Sequence, residues 1–253
     1  MLESYLRERL KEKAILLMTH IVLGYPSLKD SYRIVETMVE AGVDLMELQI
    51  PFSDPIADGP VILHANQKAL EMGATVKGCL VAAKEITQSF QIPFLIMSYY
   101  NIFFRHGIQR FVSTMARSGL RGAIIPDLPP EEGETYLEAM AEKSLAPILI
   151  FSPTTSLERM KYLNTMARGF VYCVSRKGVT GENTDFSETL NNYIARCRGA
   201  TSLPLAVGFG IKEKGDIDFL RGKVDIAVVG TQTLRIMEEQ GNAAVGDFIR
   251  GLR

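Results

Sequence analysis

The stretch Glu47-Leu-Gln-Ile-Pro-Phe-Ser-Asp-Pro-Ile-Ala-Asp-Gly-Pro60 decides the fold that we expect, because it joins a strand to an acid-bearing loop. The apolar run 44–50 is typical of a strand and stops at Pro51, since proline cannot donate to a sheet ladder. A carboxyl inside such a strand is costly unless it is used, because burial disfavours its charged form and raises its pKa. Glu47 on the strand and Asp58 on the following loop therefore indicate an acid–base site. A structural carboxyl paired with Arg or Lys is the alternative.

Composition excludes several classes of protein. The chain has 253 residues, 47% of them hydrophobic, and a net charge of −1, which fits one domain spanning 1–253 and no nucleic-acid binder. We expect no membrane association and a cytoplasmic location, because no long apolar run and no signal peptide is visible. Neither the cysteines nor the histidines have the spacing of metal ligands or of a disulfide framework, so we expect no metal. They are Cys79, Cys173, Cys197, His20, His64 and His106.

Short apolar runs alternate with amphipathic ones along the whole chain, as in repeated β/α units. The predicted strands are 14–22, 44–50, 93–98, 122–125, 146–151, 169–174, 203–207 and 224–229. The predicted helices include 28–41, 107–118, 130–143, 157–166, 185–198 and 212–220. We predict an α/β fold, a (β/α)₈ TIM barrel with an N-terminal helix and an extra helix, 61–72, after strand two, before a helix at 76–88. A doubly wound open sheet is less favoured, because the first turn, Leu23-Gly-Tyr-Pro26, lacks the glycine-rich fingerprint.

Three glycine turns follow late strands: Lys177-Gly-Val-Thr-Gly181, Val207-Gly-Phe-Gly-Ile211 and Val229-Gly-Thr231. Barrel enzymes often bind phosphate with the loops after strands seven and eight, where glycine lets backbone N–H groups approach an anion. Thr231 is a candidate helix N-cap or phosphate donor. A single turn of this kind is usually only a turn, but three at one end of consecutive strands favour a phosphate site.

The chain resembles the α subunit of tryptophan synthase from about residue 15 to its end. Residues 47–60 match that family's signature at almost every position. Further matching segments are Tyr99-Tyr-Asn101, Pro126-Asp-Leu-Pro-Pro-Glu-Glu132, Ser152-Pro-Thr-Thr155, Gly178-Val-Thr-Gly181 and Gly208-Phe-Gly-Ile211. The resemblance implies a retro-aldol lyase that cleaves indole-3-glycerol phosphate to indole and glyceraldehyde 3-phosphate, with no cofactor in this chain.

The resemblance also implies a role for each matching site residue. Glu47 would be the acid/base, and Asp58 would accept a hydrogen bond from the indole N–H and stabilise the positive charge that develops there. The substrate would be bound by Tyr172 and Phe209 around the indole, by Thr180 holding Asp58, and by Gly181, Gly210, Gly230 and Thr231 around the phosphate. The loop 176–183 would be a lid.

The family works with a β subunit that carries pyridoxal phosphate (PLP), and an α₂β₂ heterotetramer is expected. Indole would pass between the subunits through a tunnel. In this interpretation the partner-facing residues are Pro51, Phe52, Ser53, Asp54 and Asn101.

Several positions depart from the family pattern around the expected ligand. Gln49 replaces a glycine and shares a strand face with Glu47, so its amide could bond Glu47 or crowd the substrate. His20 stands where an aromatic residue normally touches the indole. The other departures are Val22 and Tyr25 in the first loop, Asp225-Ile226 before strand eight, and Gly230-Thr-Gln232.

Two functions therefore stay open: a working lyase, or an impaired subunit that mainly activates a β subunit and regains part of its cleavage rate in Gln49→Gly. Scattered drift would explain the departures nearly as well. A different phosphate-binding barrel is disfavoured by the match over 47–60.

Overall fold

A computed structural model describes the backbone of residues 1–174, 183–208 and 210–253, and their side chains except those of 183–187. Three predicted site residues, Thr180, Gly181 and Phe209, lie outside the described residues, as does nearly all of the predicted lid. Their roles stay predictions.

Eight parallel strands pair in chain order, and the last closes on the first to form a barrel. The predicted barrel is confirmed and the open sheet is excluded. The strands are β1 Leu16–Val22, β2 Leu45–Gln49, β3 Phe94–Met97, β4 Gly122–Ile124, β5 Ala146–Phe151, β6 Val171–Val174, β7 Leu205–Gly208 and β8 Ile226–Val229. The register of β1 against β2 sets His20 beside Glu47 and Val22 beside Gln49.

Helices surround the barrel and include both predicted additions, an N-terminal helix and an extra helix after β2. They are α1 Leu2–Glu12, α2 Leu28–Glu40, α3 Pro60–Glu71, α4 Val76–Ser89, α5 Tyr100–His106, α6 Ile108–Arg117, α7 Glu134–Glu142, α8 Leu157–Met166, α9 Asn183–Ala200, α10 Lys214–Leu220, α11 Thr231–Gln240 and α12 Asn242–Gly251. The predicted helix 130–143 is wrong as one element. It divides into a 3₁₀ turn, Pro130–Glu132, and α7, because Gly133 packs against Leu128 in a non-helical conformation.

The inside of the barrel changes from apolar to polar along the strand direction. On β1 the inward series runs from Leu16 and Met18 to His20, and on β2 it runs from Leu45 to Glu47. Alternate residues point outward and pack under the helices, so the strands look apolar in sequence on both faces. Polar side chains therefore collect at the carboxyl end, where barrel enzymes place their catalytic groups.

An ionic cluster ties the chain together at the amino end of the barrel. Asp44 has a side chain only 1% exposed and accepts a 3.0 Å hydrogen bond from the Leu17 N–H. Its carboxyl pairs with Arg253 at 3.0 Å, with Arg9 at 3.5 Å and with Lys13. Since the charge is compensated by three cations and a backbone donor, Asp44 is a structural carboxyl at the end opposite Glu47.

Candidate active site

Glu47 lies inside the barrel on β2 with its side chain only 6% exposed. Its Oε1 lies 3.1 Å from Nδ1 of His20. The hydroxyl of Tyr172 on β6 donates to the same oxygen over a long 3.5 Å. The structure thus brings Glu47 and Tyr172 together, and the described contacts of Glu47 are an imidazole and a phenol rather than the Arg or Lys of a structural ion pair.

His20 is buried, and its surroundings favour the protonated imidazole. Burial alone would lower the pKa of His20. The hydrogen bond and charge of Glu47, the charge of Asp58 and the amide of Gln49 outweigh burial and raise that pKa above its ordinary value. A Cβ added at Gly230 would lie 3.3 Å from the His20 Cβ, so this glycine gives His20 its room.

Asp58 follows β2 on the loop and faces the same space from above. Its Oδ2 accepts a 2.6 Å hydrogen bond from Nε2 of Gln49 and a longer one, 3.4 Å, from Nδ2 of Asn66. Burial raises the pKa of Asp58, while the Gln49 hydrogen bond, the His20 charge and the Tyr99 hydroxyl act against that rise. The carboxyl is thus held by two amides and remains half-buried.

The Gln49 amide bonds the loop and α3 rather than Glu47, its neighbour on the strand face. Its amide nitrogen turns to Asp58 and, at 3.3 Å, to Oδ1 of Asn66. The expected bond to Glu47 is absent among the described contacts, because Glu47 already pairs with His20. Gln49 Oε1 and His20 Nε2 are both buried and lack a hydrogen-bond partner of good geometry among the described atoms.

Asn66 on α3 is a site residue that the sequence argument missed. It is fully buried, donates 2.8 Å to the Ile62 carbonyl, and accepts 2.9 Å from the backbone N–H of Phe52. The signal was an amide between Ala65 and Ala69 on the buried face of the extra helix. A buried amide needs several partners, so its presence on an apolar face indicates a polar network.

Two of the residues predicted to bind phosphate, Gly210 and Gly230, follow the carboxyl ends of β7 and β8. Gly210 has φ +88°, a conformation that favours glycine, and nothing lies within 4 Å of an added Cβ. Gly230 is the N-cap of α11 and Thr231 its first residue, so the prediction of Thr231 as N-cap is wrong. The first N–H groups of α11 lack partners within the helix and suit an anion.

The loop that was predicted to face a partner has buried residues at its base and exposed residues at its tip. Pro51 and Pro55 are buried, while Ser53 and Asp54 are exposed. Phe52 stacks on Tyr99 with ring centroids 5.1 Å apart. Tyr99 also accepts a 3.1 Å bond from the Ala57 N–H, and it precedes α5, where Asn101 is exposed. These contacts set the loop beside the start of α5, as expected.

One departure from the family pattern, Asp225, lies at the end of the barrel opposite Glu47. Asp225 precedes β8 at the amino end of the barrel, where it binds Arg198 at 2.6 Å and the Leu205 N–H at 2.7 Å. Its grouping with the ligand-side changes was therefore wrong. The Tyr25 hydroxyl points to Glu238 on α11 and donates a hydrogen bond to it.

Within residues 1–174, 183–208 and 210–253, no group of three or more His, Cys, Asp or Glu side chains is arranged to hold a metal ion. In the same part of the chain, no helix has both the length and the apolar character to cross a membrane. Cys79, Cys173 and Cys197 are free and buried.

Fold and site together define a class: a (β/α)₈-barrel enzyme with two carboxyls and two glycine turns at the carboxyl end of its strands. The family model described as "Tryptophan synthase alpha chain" matches residues 6–249. The chain belongs to the tryptophan synthase alpha chain family, and it is a lyase of tryptophan biosynthesis.

Relatives and solved structures agree with this assignment. The tryptophan synthase alpha chain of Desulforapulum autotrophicum is 61% identical over 252 residues, and that of Syntrophotalea carbinolica is 55% identical over 253; both matches cover 100% of each chain. A structure of Mycobacterium tuberculosis tryptophan synthase superposes with a TM-score of 0.91 at 29% identity, covering 99% of this chain and 96% of that one. The subunit alpha of Legionella pneumophila gives 0.90 at 28% identity, with the same coverage.

Proposed function

We propose that this chain cleaves indole-3-glycerol phosphate with Glu47 as the acid/base. The bond between the indole ring carbon and the glycerol chain breaks. The ring carbon gains a proton, and the adjacent hydroxyl loses one and becomes the aldehyde of glyceraldehyde 3-phosphate. The observation that carries this proposal is the position of Glu47: buried on a strand, held at one oxygen, at the barrel end where catalysis occurs.

Asp58 supplies the second role in this proposal. Positive charge develops on the indole nitrogen as the ring carbon is protonated, and a carboxylate that accepts the N–H stabilises it. Its anchoring by Gln49 supports a fixed position for that acceptor. Tyr172 lines the indole pocket, and Phe209 and Thr180 are proposed to complete it. The phosphate is bound by Gly181, Gly210, Gly230 and Thr231.

The partner in this proposal is a PLP-dependent β subunit in an α₂β₂ assembly. This chain then needs no cofactor of its own, because PLP is held by the β subunit. The exposed loop with Ser53 and Asp54, next to Asn101, supports this docking face. The three buried free cysteines support a reducing location, which we infer to be the cytoplasm.

A steady-state assay of indole release from indole-3-glycerol phosphate, with and without a β subunit, tests the proposal. We expect release by the free chain and faster release in the complex. A chain that releases no indole in either condition, although it is folded, would contradict it.

A second function, mainly that of an activator of the β subunit, is favoured by one observation. Gln49 is fully buried and fills space beside Asp58 that a glycine would leave open to the substrate. Gln49→Gly separates the two functions. If Gln49 positions Asp58 in a working lyase, indole release falls; if Gln49 blocks the substrate, release rises while activation of the β subunit is unchanged.

A further inference from the structure

His20 stands where the family resemblance expects an aromatic wall for the indole, yet its contacts are those of a partner for Glu47. Its ring is 4% exposed, and Nδ1 lies 3.1 Å from the carboxyl oxygen Oε1. The parallel register of β1 and β2 sets the two residues side by side on rigid strands. A hydrogen bond between neighbouring strands fixes a side chain better than one from a loop.

We propose that His20 is a positioning residue that holds the Glu47 carboxyl through a protonated imidazole Nδ1. The proposal deepens the lyase function proposed above and rests on it. His20 does not act on the substrate; it acts through Glu47.

The contacts of Glu47 show how His20 would fix the orientation of the carboxyl. Both His20 Nδ1 and the Tyr172 hydroxyl reach the same oxygen, Oε1. With Oε1 contacted from two strands, rotation of the carboxyl is restricted, and in this proposal Oε2 is left for the substrate. An acid/base held in one orientation avoids the cost of ordering it at each turnover.

The charges around His20 agree with a protonated ring. Among the described residues, the charged groups that raise its pKa are two carboxyls, Glu47 beside it on β2 and Asp58 on the loop above. Tyr172 on β6 contributes a neutral hydroxyl, and Gly230 after β8 contributes no side chain. Its other nitrogen, Nε2, is buried near Gln49, whose amide also favours the cation. These surroundings therefore favour the protonated imidazole at the contact with Glu47.

The sign of the pH dependence follows from the raised pKa of His20. The pair is complete below the ordinary histidine value of 6.5 and is lost as the pH rises through the higher folded value. Indole release should therefore decline on the alkaline side as the imidazolium loses its proton.

The first test observes His20 without using activity. The chain has only three histidines, so their side-chain ¹⁵N NMR signals are few. His64 is exposed, unlike the buried His20. We expect one histidine signal that titrates above 6.5 and disappears in His20→Asn. In Glu47→Gln that signal should titrate at lower pH, because the carboxylate is gone. An unchanged titration in Glu47→Gln would overturn the proposal.

The second test uses a conservative rescue. Asn places an amide nitrogen close to the position of Nδ1 and does not titrate, whereas Phe restores the family's aromatic residue without a donor. We expect His20→Phe to lower kcat by about ten- to a hundredfold with little change in KM, as for loss of a hydrogen bond to a charged group. His20→Asn should keep most of the rate and lose the alkaline decline.

His64→Asn on the exposed face of α3 is the matched control and should keep the wild-type rate and pH profile. A His20→Phe variant with the rate and pH profile of the wild type would reject the positioning role. If the wild type releases no indole although NMR shows the pair, the proposed lyase function fails instead. The two failures are thus distinguishable.

Discussion

At the scale of single residues, the two candidate carboxyls differ in what holds them. Glu47 is inside the barrel and is held by an imidazole and a phenol, whereas Asp58 is on a loop and is held by two amides. An acid/base must exchange a proton, and a charge stabiliser must keep its charge. The two carboxyls are thus held by different kinds of group, and only Asp58 combines its amide partners with a raised pKa, which burial causes.

Glu47→Gln should lower indole release by about 10²–10⁴-fold, because it keeps the shape of the side chain and removes proton transfer. A steady-state indole assay measures the change. Glu71→Gln, at an exposed residue paired with Lys68 at the end of α3, is the control and should have no effect. Unchanged release by Glu47→Gln would sink the assignment.

Asp58→Asn should lower indole release but raise thermal stability at neutral pH. The pKa of Asp58 is raised, so its ionised form costs folding free energy that is absent below the ordinary value of 3.8 and grows as the pH rises through the folded value. The difference in Tm between variant and wild type should therefore be larger at pH 7 than near pH 4. The exposed Asp54→Asn should show no such trend; a variant less stable at pH 7 contradicts the argument.

Residue chemistry was predictable from the sequence where it depends on neighbours along the chain. Glu47 and Asp58 were found because a carboxyl stood out in an apolar strand and another in the loop after it. The contact between His20 and Glu47 was not predicted, because it depends on the register between β1 and β2. Asn66 was missed for a similar reason: its partners come from β2, the loop and its own helix.

At the scale of elements, α1 closes the amino end of the barrel, a role that no other helix has among the described residues. Leu2 and Leu6 are buried and join the apolar cluster inside the barrel. Phe170, just before β6, belongs to the same cluster. A barrel interior must be filled by side chains, and at this end a helix helps to fill it.

Leu6→Ala should destabilise the protein by about 2–5 kcal/mol, the usual cost of a cavity at a fully buried leucine. Urea unfolding measures this cost. Leu70→Ala, at a leucine 37% exposed on α3, should cost far less. The rate of indole release per folded molecule should stay unchanged, because Leu6 lies at the end opposite Glu47. Equal costs for the two variants would show that α1 does not close the barrel.

The elements themselves were largely predictable, because a strand covered on both faces is a continuous apolar run. All eight strands were found in this way, and the extra helix α3 was also predicted. The predictions failed where turn chemistry decided the outcome. Gly133 divides one predicted helix, and Gly107, with φ +88°, separates α6 from a short helix, α5, that was not predicted.

At the scale of the whole molecule, stability and function occupy opposite ends of one barrel. The amino end holds the Asp44 cluster and α1, and the carboxyl end holds Glu47, Asp58 and the glycine turns. The loop that was predicted to face a partner lies at the same end as Glu47 and Asp58, beside the start of α5. Changes to the site or the partner face are thereby kept away from the contacts that tie the chain's ends together.

Ile56→Ser should weaken binding to a β subunit by about ten- to a hundredfold and leave indole release by the free chain unchanged. Ile56 is 79% exposed at the tip of the loop, and an exposed apolar side chain there is suited to burial against a partner. Titration of β-subunit activation measures the affinity. Met72→Ser, at a methionine 70% exposed just after α3, is the matched control. Equal affinities for both variants would place the interface elsewhere.

In the proposed function, one oxygen shared by two hydrogen bonds would couple the partner face to the ligand site. Oδ1 of Asn66 accepts from the backbone of Phe52 in the partner-facing loop and from Gln49, whose amide also holds Asp58. A shift of the loop on docking thus acts on the same oxygen as a shift of Asp58 on ligand binding. If ligand binding raises the affinity for the partner by some factor, partner binding must raise the affinity for the ligand by the same factor. A double-mutant cycle that includes a substitution of Asn66 would measure this coupling free energy.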